Sequence, residues 1–188
     1  GDTNQGGAAI SIGYTAGQTT QGNSAIAIGP NAGNTTQGID AVAIGSQAGL
    51  TTQGQSSVAI GQDAGQATQG AESVAIGKGA GKTNQGESAI AIGKLAGFSN
   101  QAANSIVINA TGTEVYNFAA SSLVIKPIRS AVGTTMLMYD ATTGEVTHTA
   151  SPVITGDITG SVFGDDSTLL VDGINNTVNG TVNASVFV

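Results

Sequence analysis

A pair of branched apolar residues, separated by one small residue, recurs with a constant period along the first part of the chain. The pairs are Ile10/Ile12, Ile26/Ile28, Val42/Ile44, Val58/Ile60, Val74/Ile76, Ile90/Ile92 and Ile106/Ile108, each 16 residues after the last. Such self-similarity marks a stacked array in which each unit buries its apolar surface only against its neighbours. Three glycine columns keep the same period: Gly13, Gly29, Gly45, Gly61, Gly77 and Gly93; Gly17, Gly33, Gly49, Gly65, Gly81 and Gly97; and Gly6, Gly22, Gly38, Gly54, Gly70 and Gly86. Glycine at fixed positions signals a positive φ or a close approach of neighbouring backbone. The pattern predicts an all-β parallel β-roll or solenoid over residues 1–112. Each of its seven coils is a short strand, a turn, a second short segment and a turn, and the stack is roughly 33 Å tall at about 4.8 Å per coil.

Strand alternation sets the faces of each coil. In Ser24-Ala25-Ile26-Ala27-Ile28, the two Ile share one face and the two Ala the other. Neither face is polar, whereas a solenoid with a solvated outer face would carry polar residues there. Both are therefore expected to be buried, the small one (Ser57, Ala59, Ser73, Ala75) against another subunit. The resulting expectation is an intertwined homotrimer packed through the Ala/Ser face, which Ala59→Leu would weaken. A further column, Gln5, Gln21, Gln37, Gln53, Gln69, Gln85 and Gln101, is invariant. At about 4.8 Å per coil its amides are expected to bond one another as a ladder that fixes register.

The period fails at Asn109, which stands where the earlier coils have Gly. Residues 113–150 read as a β-hairpin neck. Leu123-Val124-Ile125 is a candidate buried strand stopped by Pro127. Met136-Leu137-Met138-Tyr139 and Glu145-Val146-Thr147-His148 flank a turn, Asp140-Ala141-Thr142-Thr143-Gly144, with Gly at the position needing positive φ. Residues 151–188 space Ile158, Val162, Leu169, Val171, Ile174, Val178 and Val182 among Gly, Asp, Asn and Thr. They read as an extended β stalk of short strands with too little apolar mass to fold alone.

Composition narrows the function classes. The 188 residues include 29 Gly, no Trp, four Phe and three Tyr, so the interior must be built from small and β-branched side chains. Twelve acidic against five basic residues give a net charge of -7, which disfavours nucleic acid as a partner. No cysteine is present, and no run of 18 apolar residues would insert in a membrane as a helix. The start at Gly1 rather than Met reads as a fragment of a longer protein, whose upstream part would cover the uncapped first coil.

Three stretches carry resemblances. Ser73-Val74-Ala75-Ile76-Gly77 followed by Ala80-Gly81 resembles the parallel β-roll repeat of trimeric autotransporter adhesin heads, whose repeat is usually a little shorter. Lys126-Pro127-Ile128-Arg129, with Tyr139-Asp140 through Thr143-Gly144-Glu145-Val146, resembles the neck of phage and large-virus tail fibres. Gly156-Asp157-Ile158-Thr159-Gly160-Ser161-Val162-Phe163, with the stretch from Asp165-Asp166 to Asp172-Gly173, is similar to stalk repeats of marine phage virion proteins. Together these imply a homotrimeric virion fibre, with other fibre or baseplate proteins as partners and no catalytic residue.

The chemistry-bearing motifs are weak. Gly77-Lys78-Gly79-Ala80-Gly81-Lys82-Thr83 lacks the first glycine of a phosphate loop, since position 76 is Ile. His148 is the single histidine, so no His-based catalytic triad or metal cluster forms within one chain. Asp165-Asp166 is a turn pair that could meet a hard cation. Asn34, Asn109, Asn175, Asn179 and Asn183 head glycosylation sequons that arise readily in an Asn- and Thr-rich sequence. The columns Thr19, Thr35, Thr51 and Thr20, Thr36, Thr52, Thr68 are similar to ice-binding threonine arrays, but adjacent strand residues should face opposite ways. No catalytic, cofactor or metal residue is assigned. The expected role is a rigid spacer in virion attachment, with a bacterial adhesin head or an ice-binding solenoid as alternatives. A host receptor or glycan would be read multivalently at the variable turns Pro30-Asn31, Ser46-Gln47, Gln62-Asp63, Lys78-Gly79 and Lys94-Leu95.

Overall fold

The computed structural model describes residues 3–128, 136–149, 162–163, 169–172 and 177–178. The chain divides into two units, Gly1–Ser130 and Ala131–Val188. All regular structure among the described residues is β.

The first unit is a two-sheet solenoid. The apolar pairs lie on strands Ile10–Ile12, Ile26–Ile28, Val42–Ile44, Val58–Ile60, Val74–Ile76, Ile90–Ile92, Ile106–Asn109 and Leu123–Lys126, which form one parallel sheet in chain order. Its register is that of the repeat: Val42 opposes Val58, Ala43 opposes Ala59 and Ile44 opposes Ile60. The opposite wall is a second parallel sheet of two-residue strands, Asn4–Gln5, Thr20–Gln21, Thr36–Gln37, Thr52–Gln53 and Thr68–Gln69. Isolated bridges from Gln69 to Gln85 and from Thr83 to Ser99 carry that pairing further.

The apolar sheet has eight strands where the sequence periodicity gives seven coils. Leu123–Lys126, which the sequence places in the neck, pairs in parallel with Ile106–Asn109. The step to it is 17 residues (Ile106 opposite Leu123), which hides it from a 16-residue search. It is a strand followed by Pro127, as expected, but it is not buried: Leu123 and Ile125 are exposed.

Both faces of the strands are expected to be buried, the small one against another subunit, but within the chain only the small one is. Ala25, Ala27, Ala43, Ala59, Ala75, Ala91, Ser57 and Ser73 have no exposed surface at all, and they are enclosed by their own coil rather than by another subunit. The branched residues point outward: Ile26, Val42, Ile44, Val58 and Ile60 are half-buried, while Ile76, Ile92 and Ile108 are 37–39% exposed. The reason is width. The glutamine column fills the space between the walls, leaving room on the apolar sheet for only a small side chain such as Ala or Ser.

Gln21, Gln37, Gln53, Gln69, Gln85 and Gln101 are at most 2% exposed. Each sends its Nε2 across the interior to the carbonyl of the branched residue 11 positions earlier, at 2.7–2.9 Å. The expected amide-to-amide ladder is therefore replaced by staples from one wall to the other. Among the described residues one such bond joins two of these glutamines, Gln85 Nε2 donating to Gln101 Oε1 at 3.3 Å. The last coil shows the same volume rule in reverse. Val107 occupies the Ala column where Asn117, one methylene shorter, occupies the Gln column, and both remain buried.

Two glycine columns show why the repeat tolerates no side chain there. Gly61 has φ +123°, and a Cβ on it would stand 2.8 Å from the carbonyl carbon and oxygen of Gly77 in the next coil. Gly65 has φ +53°, and its Cβ would meet Gln69 Oε1 at 2.6 Å. Asn109 breaks the first column, with Lys126 of the eighth strand opposite it. Its Nδ2 donates to the carbonyls of Lys94 and Thr113, and its Oδ1 accepts from the Thr111 amide and hydroxyl, so it ties the irregular turn that follows it to the coil below.

In the second unit, Met136–Tyr139 and Val146–Thr149 form the predicted antiparallel hairpin. Asp140 Oδ1 accepts from the amides of Thr142 and Thr143, and Gly144 takes φ +74° as the turn requires. Val162–Phe163, Leu169–Asp172 and Thr177–Val178 form a three-stranded antiparallel sheet. Ile158, Ile174, Val182 and the pair Asp165-Asp166 lie outside the described residues.

Candidate functional site

Four surfaces of the solenoid carry chemistry that its folding does not require. The first is the outer face of the eight-stranded sheet. Two columns of Ile, Val and Leu run its full height, a stripe about 34 Å long and about 10 Å wide at the usual strand spacing and rise. Monomeric proteins seldom leave so ordered an apolar band uncovered.

The second is the threonine array on the opposite wall. Thr20, Thr36, Thr52 and Thr68 are in register along the sheet and exposed. Thr19, Thr35 and Thr51 are exposed as well, although alternation was expected to turn them away. These strands are only two residues long, Thr20–Gln21 for example, so the residue before each one sits in a bend and escapes the alternation.

The third is the set of variable turns. Their first residues are exposed at Pro30, Gln62, Lys78 and Lys94, while the second residues are constrained. Asn31, Gln47, Asp63, Gly79 and Leu95 all have φ between 57° and 65°. Their amides bond the turn of the coil below, as Asp63 N–H does to the Ser46 carbonyl at 3.0 Å. Half of each turn is thus scaffold.

The fourth is an aromatic cluster at the C-terminal end of the stack, which the sequence reading did not single out. Phe98 and Tyr116 meet edge to face with centroids 6.4 Å apart, and Tyr116 and Phe118 lie nearly parallel at 5.8 Å. Lys82 Nζ stands 5.8 Å from the Phe98 centroid and 3.7 Å from Asp63 Oδ2. The Tyr116 hydroxyl donates to the Glu114 carboxylate, which raises the Tyr116 pKa. Phe118 is 70% exposed. Scarcity was the missed signal: three of the seven Phe and Tyr residues fall between positions 98 and 118.

Lys82 of the phosphate-loop-like segment is engaged with Asp63 and Phe98, and Gly81 packs against the Gln85 amide. The segment is a turn ending in an isolated bridge at Thr83, with no following helix, so it lacks the anion-binding terminus that a phosphate loop uses. His148 pairs with Leu137 across the hairpin. Among the described residues no group of three or more His, Cys, Asp and Glu could hold a metal ion, and no helix is long and apolar enough to cross a membrane. No family model matches the chain, and no curated protein or solved structure matches it.

Proposed function

We propose that the chain is a non-catalytic, self-associating segment of a fibre, a homotrimeric rigid spacer of a virion tail fibre or spike that serves host attachment. The observation that carries the self-association is the outward Ile/Val stripe. Burying a branched side chain fully is worth about 1.5–3 kcal/mol, and these are already half-covered, so each gains about 1 kcal/mol on docking. Sixteen such positions give about 16 kcal/mol per chain, which exceeds the roughly 4–15 kcal/mol cost of an association step. The correction to the fold moves the proposed interface from the Ala/Ser face to this one. The virion setting rests on the sequence resemblances of residues 123–173, and the spacer role on the stiffness of a ladder in which every coil bonds the next.

Light scattering of the whole chain tests the assembly. A mass three times that of one chain at micromolar concentration is expected, reduced to one chain by Ile44→Lys with the β circular dichroism retained. A wild-type chain that stays monomeric sinks the reading.

One observation favours a second reading. The paired threonines at 19/20, 35/36 and 51/52 are all exposed and Thr20, Thr36 and Thr52 stand in register, a repeated hydroxyl-bearing array of the kind an ice-binding solenoid uses. Thermal hysteresis in ice-growth measurements, abolished by Thr36→Lys, would replace the fibre reading with that one.

A further inference from the structure

We propose that charges beside the outer Ile/Val stripe set direction and register between copies of this chain: Glu72 and Glu87 of one copy meet Lys78 and Lys94 of the next at the same height, with all copies pointing the same way along the stack. The inference rests on the self-association through the stripe argued above and adds the geometry of that contact.

A stripe of repeated branched residues cannot align two copies by itself. Its columns recur every 16 residues, so Val58 and Ile60 dock on the coil above or below as well as on their own level. A slip of one coil loses only an end coil of contact, and the stripe is equally apolar read upward or downward. Burial alone therefore leaves several arrangements close in energy, and something repulsive or attractive has to choose among them.

The flanks of the stripe carry that discrimination. Because the sheet is parallel, every strand starts on one side of the stripe and ends on the other. The turns before the strands, 22–25, 38–41, 54–57, 70–73, 86–89 and 102–105, hold Asp40, Glu72 and Glu87 and no basic residue. The turns after the strands present Lys78 and Lys94, and Lys126 ends the eighth strand on the same side. Asp63 and Glu114 also follow strands, but the first is engaged by Lys82 Nζ at 3.7 Å and the second by the Tyr116 hydroxyl. Among the described residues Lys82 with Asp63 is the one ion pair, and Glu72, Lys78, Glu87 and Lys94 are exposed. Glu72 is held at φ 59°, where Asn fits better, so backbone conformation does not explain a carboxylate there.

The charges lie at matching levels. Glu72 and Lys78 flank Val74–Ile76, and Glu87 and Lys94 flank Ile90–Ile92. The stripe, about 10 Å wide, separates each acid from the lysine at its own level, beyond the roughly 4 Å of an ion pair within one chain. Rotation about an axis parallel to the stack brings the end of each strand to the start of the same strand in the neighbouring copy, whether the copies number two or three. Both pairs then form at every contact. A one-coil slip keeps one of the two, and reversing a copy sets acidic flank against acidic flank. Such exposed pairs add little affinity, but they fix register and penalise the wrong arrangements.

The test uses the whole chain, which has no cysteine of its own. Chains carrying Glu72→Cys are mixed in turn with chains carrying Ser46→Cys, Gln62→Cys, Lys78→Cys or Lys94→Cys and treated with a short bismaleimide. The crosslinking rate should peak at Lys78→Cys and fall to either side, and Glu72→Cys alone should give no crosslinked pair. Lys78→Glu with Lys94→Glu should weaken assembly about tenfold at about 20 mM salt, an effect that fades at about 0.5 M. Adding Glu72→Lys with Glu87→Lys to the same chain should restore it. Solution mass is measured on every sample. A monomeric wild type removes the self-association and this inference with it. An assembled wild type whose crosslinks peak at another coil or join Glu72→Cys to itself overturns the inference alone, as does an assembly indifferent to the charge reversal or not restored by the swap.

Discussion

Four interior amide oxygens, those of Gln37, Gln53, Gln69 and Gln85, are buried without a hydrogen-bond donor. The first coil shows how the fold would satisfy one. Ser11, standing in the Ala column, donates its hydroxyl to Gln21 Oε1 at 2.6 Å. The same offset of ten residues relates Ala59 to Gln69. A Cβ placed on Gly65 would lie 2.6 Å from that oxygen and 3.3 Å from the Ala59 Cβ, so Ala59 already borders it. Ala59→Ser should therefore supply the missing donor without adding volume beyond one oxygen. A buried acceptor left unpaired costs about 1–3 kcal/mol, and a neutral hydrogen bond contributes about 1 kcal/mol net. Subtracting the desolvation of the new hydroxyl leaves a stabilisation of about 1 kcal/mol. For a unit of this size that raises the melting temperature by about 3–5 °C. Thermal unfolding followed by far-ultraviolet circular dichroism reads it, with Ala59→Leu as the contrast, overpacking the interior and lowering stability by about 1–3 kcal/mol or more. If Ala59→Ser lowers the melting temperature, or Ala59→Leu is tolerated, the two-wall interior described above is wrong.

Other positions test other parts of the account. Gly61→Ala forces a Cβ to 2.8 Å from the next coil's carbonyl at φ +123° and should cost at least about 2 kcal/mol, read as loss of hydrogen-exchange protection in the flanking coils. Glu72 is exposed and held at φ 59°, so Glu72→Asn, which tolerates that region, should stabilise by about 0.5–1 kcal/mol in the same melting assay. The Asp140 pKa is lowered by the Thr142 and Thr143 amides, so its contribution to the hairpin turn is complete above the ordinary carboxylate range and is lost as the pH falls through the depressed folded value. NMR shifts of those two amides should titrate below the ordinary carboxylate range, and a titration centred at or above that range would contradict the bonding.

Much of this architecture was legible in the sequence, because stacking writes itself as periodicity. The 16-residue spacing gave the strands and their register, and the glycine columns gave the two positive-φ bends. The polarity of the walls was not legible. Ala25/Ala27 against Ile26/Ile28 shows two apolar faces, and nothing in the alternation says which is inside. That is decided by the Gln53 side chain reaching the Val42 carbonyl, a contact between residues 11 apart on opposite walls. Exposed Ile and enclosed Ala invert the usual burial preference, which is why reasoning from residue type failed there. The eighth strand was hidden by one inserted residue. The aromatic cluster was hidden by having no repeat, since Tyr116 and Phe118 each occur once where earlier coils hold Thr, Asn, Gly or Ala.

The central claim is that the small residues face inward and the branched residues face a second copy of the chain. The natural sequence has no cysteine, so single thiols report directly on both. Ala43→Cys and Ile44→Cys are neighbours on one strand and differ only in the face they occupy. Labelling with a maleimide across a dilution series should find the thiol of Ala43→Cys inert at every concentration. The thiol of Ile44→Cys should react freely when dilute and become protected as the chains associate. A thiol of Ile44→Cys equally reactive at all concentrations would contradict the docking of copies on that face, and a reactive thiol in Ala43→Cys would contradict the fold itself.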